Sequence, residues 1–536
     1  MGVTWEATED ICRVMTGDKA LAAIFCVLCV AGTTAAKEPK NQYKKQHRPV
    51  MAQLGRGEFD NAIKTLKKLN RQFPDDAETQ FCLALAHSGK GEGKAALGYA
   101  RKAVALGLPV ERLVAGPRSL NKPLLRAQGF GELAGPGSAR LVHGPMLGDL
   151  GPTSVKIWVR AGRQCEVKVV IEGVAADAVK ASAANDYTAV VELTRLEPDT
   201  FYHYQIFQDE QPVDVGHETS FRTVPDDGGK KIKVVFGGGA GFTPKFEHMW
   251  NTIRSHKPDA LLMLGDNVYI DRPEVREVGQ YCYYRRQSRP EWRRLTADVP
   301  VYAIWDDHDF GTNDCHGGAA VDIPPWKPRV WGDFTRQWPN PEYGGAGKHP
   351  GCYFTHRFGQ RVEFFFLDTR YYREPAAREM LGPVQLAWLK AQLLRSRAAF
   401  KVICSSVPMT PGVKPGSLDT WDGYDAEREV IFRFITEQKI GGVFVLAADR
   451  HRSDAWKNKR PGTAYPIYEF MSSKMTNVHT HKIIDGCLFG YNAKPSFGEV
   501  IFDFTKNDPV AVYTAYSIDD ENVGSVNIVL SELQVR

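Results

Sequence analysis

The chain has 536 residues and a net charge of +5 at pH 7, with 43% apolar and 24% charged residues. This length exceeds what a single hydrophobic core usually organises, so we expect two to four domains. The composition is typical of a globular protein and excludes an intrinsically disordered chain. The small charge excess gives no sign of a nucleic-acid-specific surface, which would concentrate basic residues on one face.

Residues 1–36 are predicted to be a signal peptide. Residues 20–31 form an apolar run of signal-core length, too short to cross a bilayer comfortably, and small residues follow at Thr34-Ala35-Ala36. Acidic residues precede this run, so a start at Met15 would give a more conventional signal. An uncleaved apolar anchor is the alternative. No later stretch is long and apolar enough for a transmembrane span, so the mature chain is predicted to be periplasmic or secreted.

Seven cysteines remain after the predicted signal, and no two of them form a CxxC pair. An odd number with this spacing cannot make a complete disulfide framework. One or two disulfide bonds remain an alternative if the compartment is oxidising. Cys315 with Cys352 is the favoured pair, because both lie in predicted loop.

Residues 47–125 are predicted to form a short helical region that resembles tetratricopeptide repeats. Gly57-Glu-Phe-Asp-Asn-Ala-Ile63 is similar to the segment that begins 34 residues later at Gly91, and 34 is the period of such helix pairs. Small residues stand where paired helices would approach (Ala62, Ala84, Ala96 and Ala103). Two units are fewer than a free-standing solenoid needs, so we expect them to pack on the rest of the protein. Binding of a protein partner is the alternative.

Residues 111–138 are rich in glycine and proline and predict a connector. Strand-like alternation then begins, with turn residues between the segments, which predicts a small β-sandwich over residues 139–224. The predicted strands are 154–159, 166–171, 188–193 and 201–206. The later part resembles a fibronectin type III domain, and we expect it to act as a rigid shoulder beside the active site.

From residue 230 to 536 strands alternate with helices, which predicts an α/β domain with mixed or antiparallel late strands. Predicted strands lie at 232–236, 260–264, 301–305, 362–367, 402–405, 443–446, 499–504 and 510–516. Predicted helices lie at 246–256, 384–394 and 427–437.

Four of these strands run directly into acidic segments. The segments begin at Asp266, Asp306, Asp368 and Asp449. Because ligands collect at the carboxyl ends of strands in open α/β sheets, we expect a rim of Asp and His side chains on a common sheet. Such oxygen and imidazole ligands suit hard or borderline cations.

The acidic segments, taken in order, resemble those of the PhoD-like alkaline phosphatases, a branch of the calcineurin-like metallophosphoesterases. They read Gly265-Asp-Asn-Val-Tyr-Ile-Asp271, Trp305-Asp-Asp-His-Asp-Phe-Gly-Thr-Asn-Asp314, Leu367-Asp-Thr-Arg-Tyr-Tyr-Arg373 and Asp449-Arg-His451. The resemblance covers residues 139–536, including the β-sandwich. It implies a four-layer αββα metallophosphatase sandwich with a multimetal centre that hydrolyses phosphate esters.

The resemblance assigns five residues to metal. Asp266 would bridge two cations, since a carboxylate has two oxygens. Tyr269 would be a phenolate ligand, which requires a strong Lewis acid to displace its proton. Asp307, Asp449 and His451 would complete the set. A packed aromatic side chain is the alternative for Tyr269, and a polar turn after a strand is the alternative for Asp449 and His451.

Two further residues are assigned to catalysis. His308 would protonate the leaving group or hold a phosphoryl oxygen, because neighbours on an extended chain point in different directions and Asp307 can then hold metal. Arg370 would contact phosphate, which suits a guanidinium by geometry and fixed charge. An ion pair with Asp368 is the alternative for Arg370. Asp309, Asn313 and Asp314 could hold the metal ligands in place or cap a turn, and for Asn313 metal binding is a further alternative.

The chain departs from the family pattern at two positions. Gly239 stands about where the family has a cysteine of the iron site, and glycine cannot replace a thiolate. Either the iron site differs, or the centre holds another set of metals, with calcium favoured and iron left open. The glycine-rich turn could instead offer backbone N–H groups to oxyanions. The second departure is Ser405-Ser406, where the superfamily has a histidine.

We therefore interpret the chain as an exported metal-dependent phosphoesterase that acts on phosphate mono- or diesters by metal-activated water. The alternative is a non-catalytic binding protein on a degenerate phosphatase fold, with residues 47–125 holding a partner. The enzyme is favoured by six ligand-type or ionisable residues: Asp266, Tyr269, Asp307, His308, Asp449 and His451. The aromatic-rich insertion at 315–352 either covers the site or packs itself down.

Overall fold

A computed structural model of the chain describes residues 46–135, 141–171, 174–459, 462 and 465–535. The predicted signal peptide lies outside these residues. Within them, no helix has both the length and the apolar character needed to cross a membrane.

The described chain begins with a helical region. The second helix ends just before Pro74, as predicted, because proline lacks the N–H that would continue the helix. The four predicted small residues, Ala62, Ala84, Ala96 and Ala103, are fully buried between helices. The helices are α1 (Arg48–Gly55), α2 (Phe59–Gln72), α3 (Ala77–Gly89), α4 (Gly93–Ala105), α5 (Val110–Ala115), α6 (Arg118–Leu125) and α7 (Phe130–Ala134).

The predicted connector at 111–138 is wrong over most of its described length, where α5, α6 and α7 lie. Pro117 precedes α6 and Pro123 lies inside it, while Pro109, just before the segment, precedes α5. Gly116 ends α5 with a φ of 101°, which glycine adopts without strain. Composition therefore misled the prediction, because the same residues mark loops and helix boundaries.

Residues 141–222 form two antiparallel sheets, as the β-sandwich prediction requires, while the fibronectin resemblance stays a prediction. One sheet has the order β1-β2-β6; the other has β4-β3-β7-β8, with β5 on β3 and β9 on β7. The strands are β1 (Leu141–Gly148), β2 (Ser154–Ala161), β3 (Cys165–Ile171), β4 (Val174–Ala175), β5 (Val179–Ala181), β6 (Thr188–Thr194), β7 (Phe201–Gln208), β8 (Gln211–Pro212) and β9 (Ser220–Arg222).

The remainder is a mixed α/β region built on two sheets. The helices are α8 (Met249–Ser255), α9 (Arg276–Gln287), α10 (Pro290–Asp298), α11 (Asp307–Phe310), α12 (Lys327–Thr335), α13 (Gly382–Arg395) and α14 (Asp425–Glu437). The strands are β10 (Lys231–Gly237), β11 (Ala260–Leu264), β12 (Val301–Ile304), β13 (Phe354–Phe358), β14 (Val362–Phe366), β15 (Phe400–Cys404), β16 (Val443–Ala447), β17 (Ser453–Asn458), β18 (Ile467–Ser472), β19 (Phe489–Tyr491), β20 (Ser496–Asp503), β21 (Val510–Ser517) and β22 (Asn522–Val529).

The first sheet has the order β12-β11-β10-β20-β21-β22 and the second β13-β14-β15-β16-β18-β17-β19. Aromatic side chains join their facing surfaces: the ring of Phe502 lies 5.4 Å from that of Phe400, and Tyr513 stacks on Phe470 at 4.5 Å. Burying rings of this size contributes strongly to the core. The four-layer description stays a prediction.

The acidic strand ends do not share a common sheet, so that expectation is wrong. Asp266 and Asp306 follow β11 and β12 of the first sheet, whereas Asp368 and Asp449 follow β14 and β16 of the second. Hydrophobic periodicity identifies strands but not their pairing, because pairing joins residues distant in sequence. The strand ends still meet, since the two sheets face each other.

The seven cysteines that the structure describes are free thiols, so the Cys315–Cys352 pair does not form in it. Cys352 is fully buried, and its backbone N–H donates to the carboxylate of Asp368 at 2.9 Å.

A buried ion pair of the helical region is linked to the α/β region by a hydrogen bond. Arg112 lies 3.1 Å from Glu78, whose carboxylate also accepts from the hydroxyl of Tyr281 in α9 at 2.9 Å.

We expect Arg112→Ala to lower the free energy of unfolding by about 3–5 kcal/mol, because it removes the guanidinium that pairs with the buried Glu78 carboxylate. Urea denaturation measures this. Arg101→Ala, which removes an exposed pair with Glu132, is the control and should cost about 0–1 kcal/mol; equal losses would contradict the prediction.

Candidate functional site

The site begins at the end of β11, where Gly265 lets two strand ends approach closely. A Cβ at Gly265 would lie 2.6 Å from the Cβ of Asp306, and the residue has a φ of 99°. Asp266 follows and is almost fully buried. Glycine is therefore needed here so that the carboxylates after β11 and β12 can stand side by side.

Asp266 and Tyr269 are joined directly. The Tyr269 hydroxyl donates to Oδ2 of Asp266 at 2.8 Å and accepts from the amide of Asn477 at 2.6 Å. Burial, followed by the charge of Asp266, raises the pKa of Tyr269 well above its ordinary value. The phenol therefore keeps its proton unless a cation replaces it.

Asp309 ties the two strand ends together. Its carboxylate accepts from the backbone N–H of Asn267 at 3.1 Å, of Val268 at 3.0 Å and of Asp306 at 3.1 Å. Burial raises the pKa of Asp309 to about 7, against the lowering effect of these bonds. Asp309 is thus a structural clamp, one of the roles that the sequence left open.

Asp307 and His308 lie on one helical turn, α11, so the expected extended backbone is wrong. The side chains of Asp306 and Asp309 cap the start of this turn and so favour it. The sequence analysis missed the turn because the apolar run before it resembles a strand that continues. Successive residues on a helix still diverge, by about 100°. The side chains of Asp307 and His308 therefore point in different directions, as predicted, although the predicted reason was an extended backbone.

The structure brings Asp266, Asp307 and His308 together, with one ligand atom from each lying within 4.8 Å of the others. Burial, and then the carboxylates of Asp307 and Asp306, raise the pKa of Asp266 well above its ordinary value. Oδ1 of Asp266 is buried and has no hydrogen-bond partner among the described residues. This arrangement is electrostatically unfavourable until a cation or a proton neutralises it.

Asp449 and His451 approach from the second sheet. Burial, followed by Asp419, raises the pKa of Asp449, and Asp449 in turn raises that of Asp266. Oδ2 of Asp449 is buried without a hydrogen-bond partner in the described ranges; the Arg450 guanidinium lies 3.8 Å away. His451 adjoins the glycine-rich turn, and its ring lies 5.1 Å from that of His479.

Arg370 lies fully buried beneath the cluster. Its Nε donates to Asp306, and its Nη1 donates to Asp419 at 2.9 Å. Burial alone would lower the pKa of Arg370, but these carboxylates outweigh it and raise the pKa further. The alternative ion pair with Asp368 is not the one that forms: the Asp368 carboxylate accepts from Trp305 at 2.8 Å and from the backbone of Arg370.

The backbone N–H groups of the glycine-rich turn are used within the fold, so the expected oxyanion site is wrong for them. Gly238 donates to Ser472, Gly239 to Gly265 and Ala240 to Asp266, all through carbonyl acceptors. The Ser406 hydroxyl donates to the carboxylate of Asp306 at 2.8 Å.

Several residues at the site escaped the sequence analysis as functional candidates. Asp271 accepts from Nδ1 of His308, and only its place at the end of the first acidic segment could have indicated this. Asp419 forms a second carboxylate group with Asp307 and Asp314, in a loop without a motif. Asn313 is exposed.

The insertion at 315–352 packs itself down, which decides between the two alternatives for most of its aromatic residues. Phe334 and Trp338 are buried, and Phe334 packs on Trp305 at 4.8 Å. Trp326 contacts Phe310 at 5.2 Å, just beyond His308 in sequence. The insertion therefore packs against α11 and supports it.

Comparison with known proteins agrees with this geometry. Residues 234–486 match the family model of the PhoD-like phosphatases, and residues 138–225 match a domain of unknown function (DUF7800). Alkaline phosphatase D of Bacillus subtilis (strain 168) is 25% identical over 319 residues, which are 49% of this chain and 53% of that protein. The chain therefore matches about half the length of this curated relative.

The solved structure of PhoD is 18% identical and superposes with a TM-score of 0.59, covering 72% of this chain and 88% of that one. At this identity the superposition supports the fold alone. The match to the family model covers all four acidic segments. Residues 234–486 are therefore similar in sequence to the PhoD-like phosphatases, and the chain shares the fold of PhoD.

Proposed function

We propose that this protein is a metal-dependent phosphoric ester hydrolase. The observation that carries the proposal is the buried group of Asp266, Asp307 and His308, which lies inside the region that matches the PhoD-like phosphatases. Phosphate-ester hydrolysis needs charge neutralisation, an activated water and a proton for the leaving oxygen. Clustered carboxylates beside an imidazole can meet all three needs.

The residues fit a hard divalent cation. Two buried carboxylate oxygens, Oδ1 of Asp266 and Oδ2 of Asp449, have no hydrogen-bond partner among the residues that the structure describes, and oxygen ligands of this kind suit calcium. We propose that Asp266, Asp307, Asp449 and His451 hold the metal. Bound there, it would lower the pKa of a coordinated water and neutralise the phosphoryl oxygens.

An iron site of the family type does not fit as well. A Cβ at Gly239 would lie 2.8 Å from the backbone nitrogen of Lys474 and 3.1 Å from Nδ1 of His451, and Gly239 has a φ of 66°. The space that a cysteine would need is thus occupied. Tyr269 stays hydrogen-bonded to Asp266 as a phenol, and we propose calcium rather than iron for this chain.

His308 is the proposed proton donor to the leaving oxygen. Its Nδ1 donates to the carboxylate of Asp271, which only accepts, and Nε2 is the ring nitrogen that we propose exchanges a proton with the ester. Its ring lies 4.3 Å from that of Tyr269, which limits its rotation. A general acid in this position typically contributes about 10²–10⁴-fold to the rate.

For Arg370 we propose a different role from the phosphate contact that the sequence suggested. Its guanidinium pairs with Asp306 and Asp419 beneath the cluster. Burial would raise the pKa of both carboxyls, and the charge of Arg370 opposes this rise for Asp306 and helps to lower the pKa of Asp419. We also propose export through the predicted signal, as the sequence suggests. Monoester and diester substrates both remain within the proposal. The non-catalytic alternative is disfavoured, because a scaffold gains nothing from buried carboxylates without hydrogen bonds.

The proposal predicts bound metal together with hydrolysis of 4-nitrophenyl phosphate or bis(4-nitrophenyl) phosphate by residues 37–536. Asp266→Asn should lower both the metal content and the activity on these esters. His308→Ala should lower kcat by about 10²–10⁴-fold on phenyl phosphate, measured by released phosphate, because its leaving group needs the proton more than 4-nitrophenolate does. Elemental analysis and a chromogenic assay measure these effects. Asp199→Asn and His203→Ala, both on the β-sandwich, are the matched controls. A folded protein that binds no metal and hydrolyses neither ester, even with added calcium, would overturn the proposal.

Restoring the family cysteine should not restore an iron site. We expect Gly239→Cys to lower the free energy of unfolding by about 1–3 kcal/mol, because it forces a positive φ on a residue with a Cβ. Gly239→Ala shares this backbone cost and is the control. Urea denaturation and iron content are the measurements. A stable Gly239→Cys protein that takes up iron stoichiometrically would show that the turn can open.

A further inference from the structure

We propose that Arg48, in the N-terminal helical region, is a positioning residue of the active site that acts on His308 through Asp271. The inference rests on the proposed function and deepens it. It assigns the helical region a direct part in the site, instead of spacing or partner binding.

Arg48 is the first residue of α1, and its guanidinium is buried at the far end of the acidic segment after β11. Nη1 donates to the backbone carbonyl of Tyr269 at 2.6 Å and to Oδ2 of Asp271. These contacts join residues more than 200 positions apart in sequence. One side chain of the helical region therefore fixes both the backbone and the last carboxylate of the segment.

Asp271 uses its two oxygens for different partners. Oδ2 accepts from Arg48, and Oδ1 accepts from Nδ1 of His308. A carboxylate that orients an imidazole through Nδ1 fixes which ring nitrogen carries the proton, as in other acid–base sites. The arrangement forms a continuous line from Arg48 to Asp271 to His308.

Arg48 is suited to holding Asp271 in one orientation. The side chain of Asp271 is 23% exposed, so without a partner it could rotate toward water. A guanidinium has a fixed charge and planar geometry, and its bonds to a carboxylate are about twice as strong as neutral ones. The second bond, to the carbonyl of Tyr269, prevents the guanidinium from following Asp271 outward.

The position of α1 is itself fixed by packing. Met51 and Leu54 are buried, and a Cβ at Gly55 would lie 2.5 Å from Val275 at the start of α9. From α6, the Ser119 hydroxyl donates to Glu277 of α9 at 2.9 Å. Helix α1 thus packs against α9, the helix that follows the acidic segment, and this packing fixes the position of Arg48.

The test compares Arg48→Ala with Arg56→Ala. Arg56 follows α1 directly and forms an exposed pair with Glu274 at 3.3 Å, so its loss perturbs the same junction without touching Asp271. Two esters differ only in the leaving group: 4-nitrophenyl phosphate, whose phenolate departs without protonation, and phenyl phosphate, which depends more on the acid. If the protein prefers diesters, the corresponding diester pair replaces them.

We expect Arg48→Ala to lower kcat for the phenyl ester by about 10–100-fold, the usual loss for a residue that orients a ligand or catalytic group from outside. The 4-nitrophenyl ester should lose much less, with KM unchanged for both. Arg56→Ala should resemble the wild type. In a His308→Ala background, Arg48→Ala should cause no further loss. Equal losses on the two esters, or no loss on either, would overturn the proposal.

A second readout does not depend on activity. In protein labelled with ¹⁵N-histidine, the His308 signal, assigned by its absence in His308→Ala, should report Nδ1 protonation in the wild type and in Arg56→Ala. Arg48→Ala should shift this signal; an unchanged signal would overturn the positioning role. If the wild type hydrolyses neither ester, the proposed function fails while this measurement still decides the inference.

Arg48→Lys covers the case in which Arg48→Ala does not fold. Lysine keeps the charge but lacks the planar guanidinium, so kcat for the phenyl ester should again fall selectively, by a smaller factor than in Arg48→Ala. A folded Arg48→Lys protein with wild-type rates on both esters and a wild-type His308 signal would overturn the proposal.

Discussion

The repulsion among buried carboxylates at the meeting point of two sheets is the constraint on which this structure depends. Asp266 lies close to Asp307, and burial, followed by the charges of Asp307 and other carboxylates including Asp449, raises the pKa of Asp266. Burial also raises the pKa of Asp449. Arg370 offsets part of this repulsion, because its guanidinium pairs with the carboxylate of Asp306. The remaining imbalance is what a bound cation would relieve, so the folding cost and the proposed chemistry have the same origin.

The regions around this centre serve to hold it. The β-sandwich is fastened to the α/β region by polar contacts, including the Tyr204 hydroxyl to the carbonyl of Ala297 at 2.9 Å. The helical region reaches the site itself through Arg48. The insertion after α11 supports the turn that carries His308. Long-range contacts of this kind make the appended regions parts of one functional unit rather than separate modules.

Two small residues let neighbouring groups come close at the candidate site. Gly239 leaves room for the backbone of Lys474 and the ring of His451. The Ser406 hydroxyl donates to the carboxylate of Asp306 at 2.8 Å. The ligands proposed for the metal are mostly carboxylate oxygens, and such a site would favour a harder cation than a thiolate would.

The sequence by itself determined the strand ends and the ligand-type residues that follow them, because an apolar run and the polar break after it are local features. It identified Asp266, Tyr269, Asp307 and His308 correctly as neighbours. Only the tertiary structure decided that the strands belong to two sheets, and that Arg48 reaches Asp271. Those contacts join residues far apart in the chain. Tertiary packing brings these residues together, and no local sequence pattern predicts the contact.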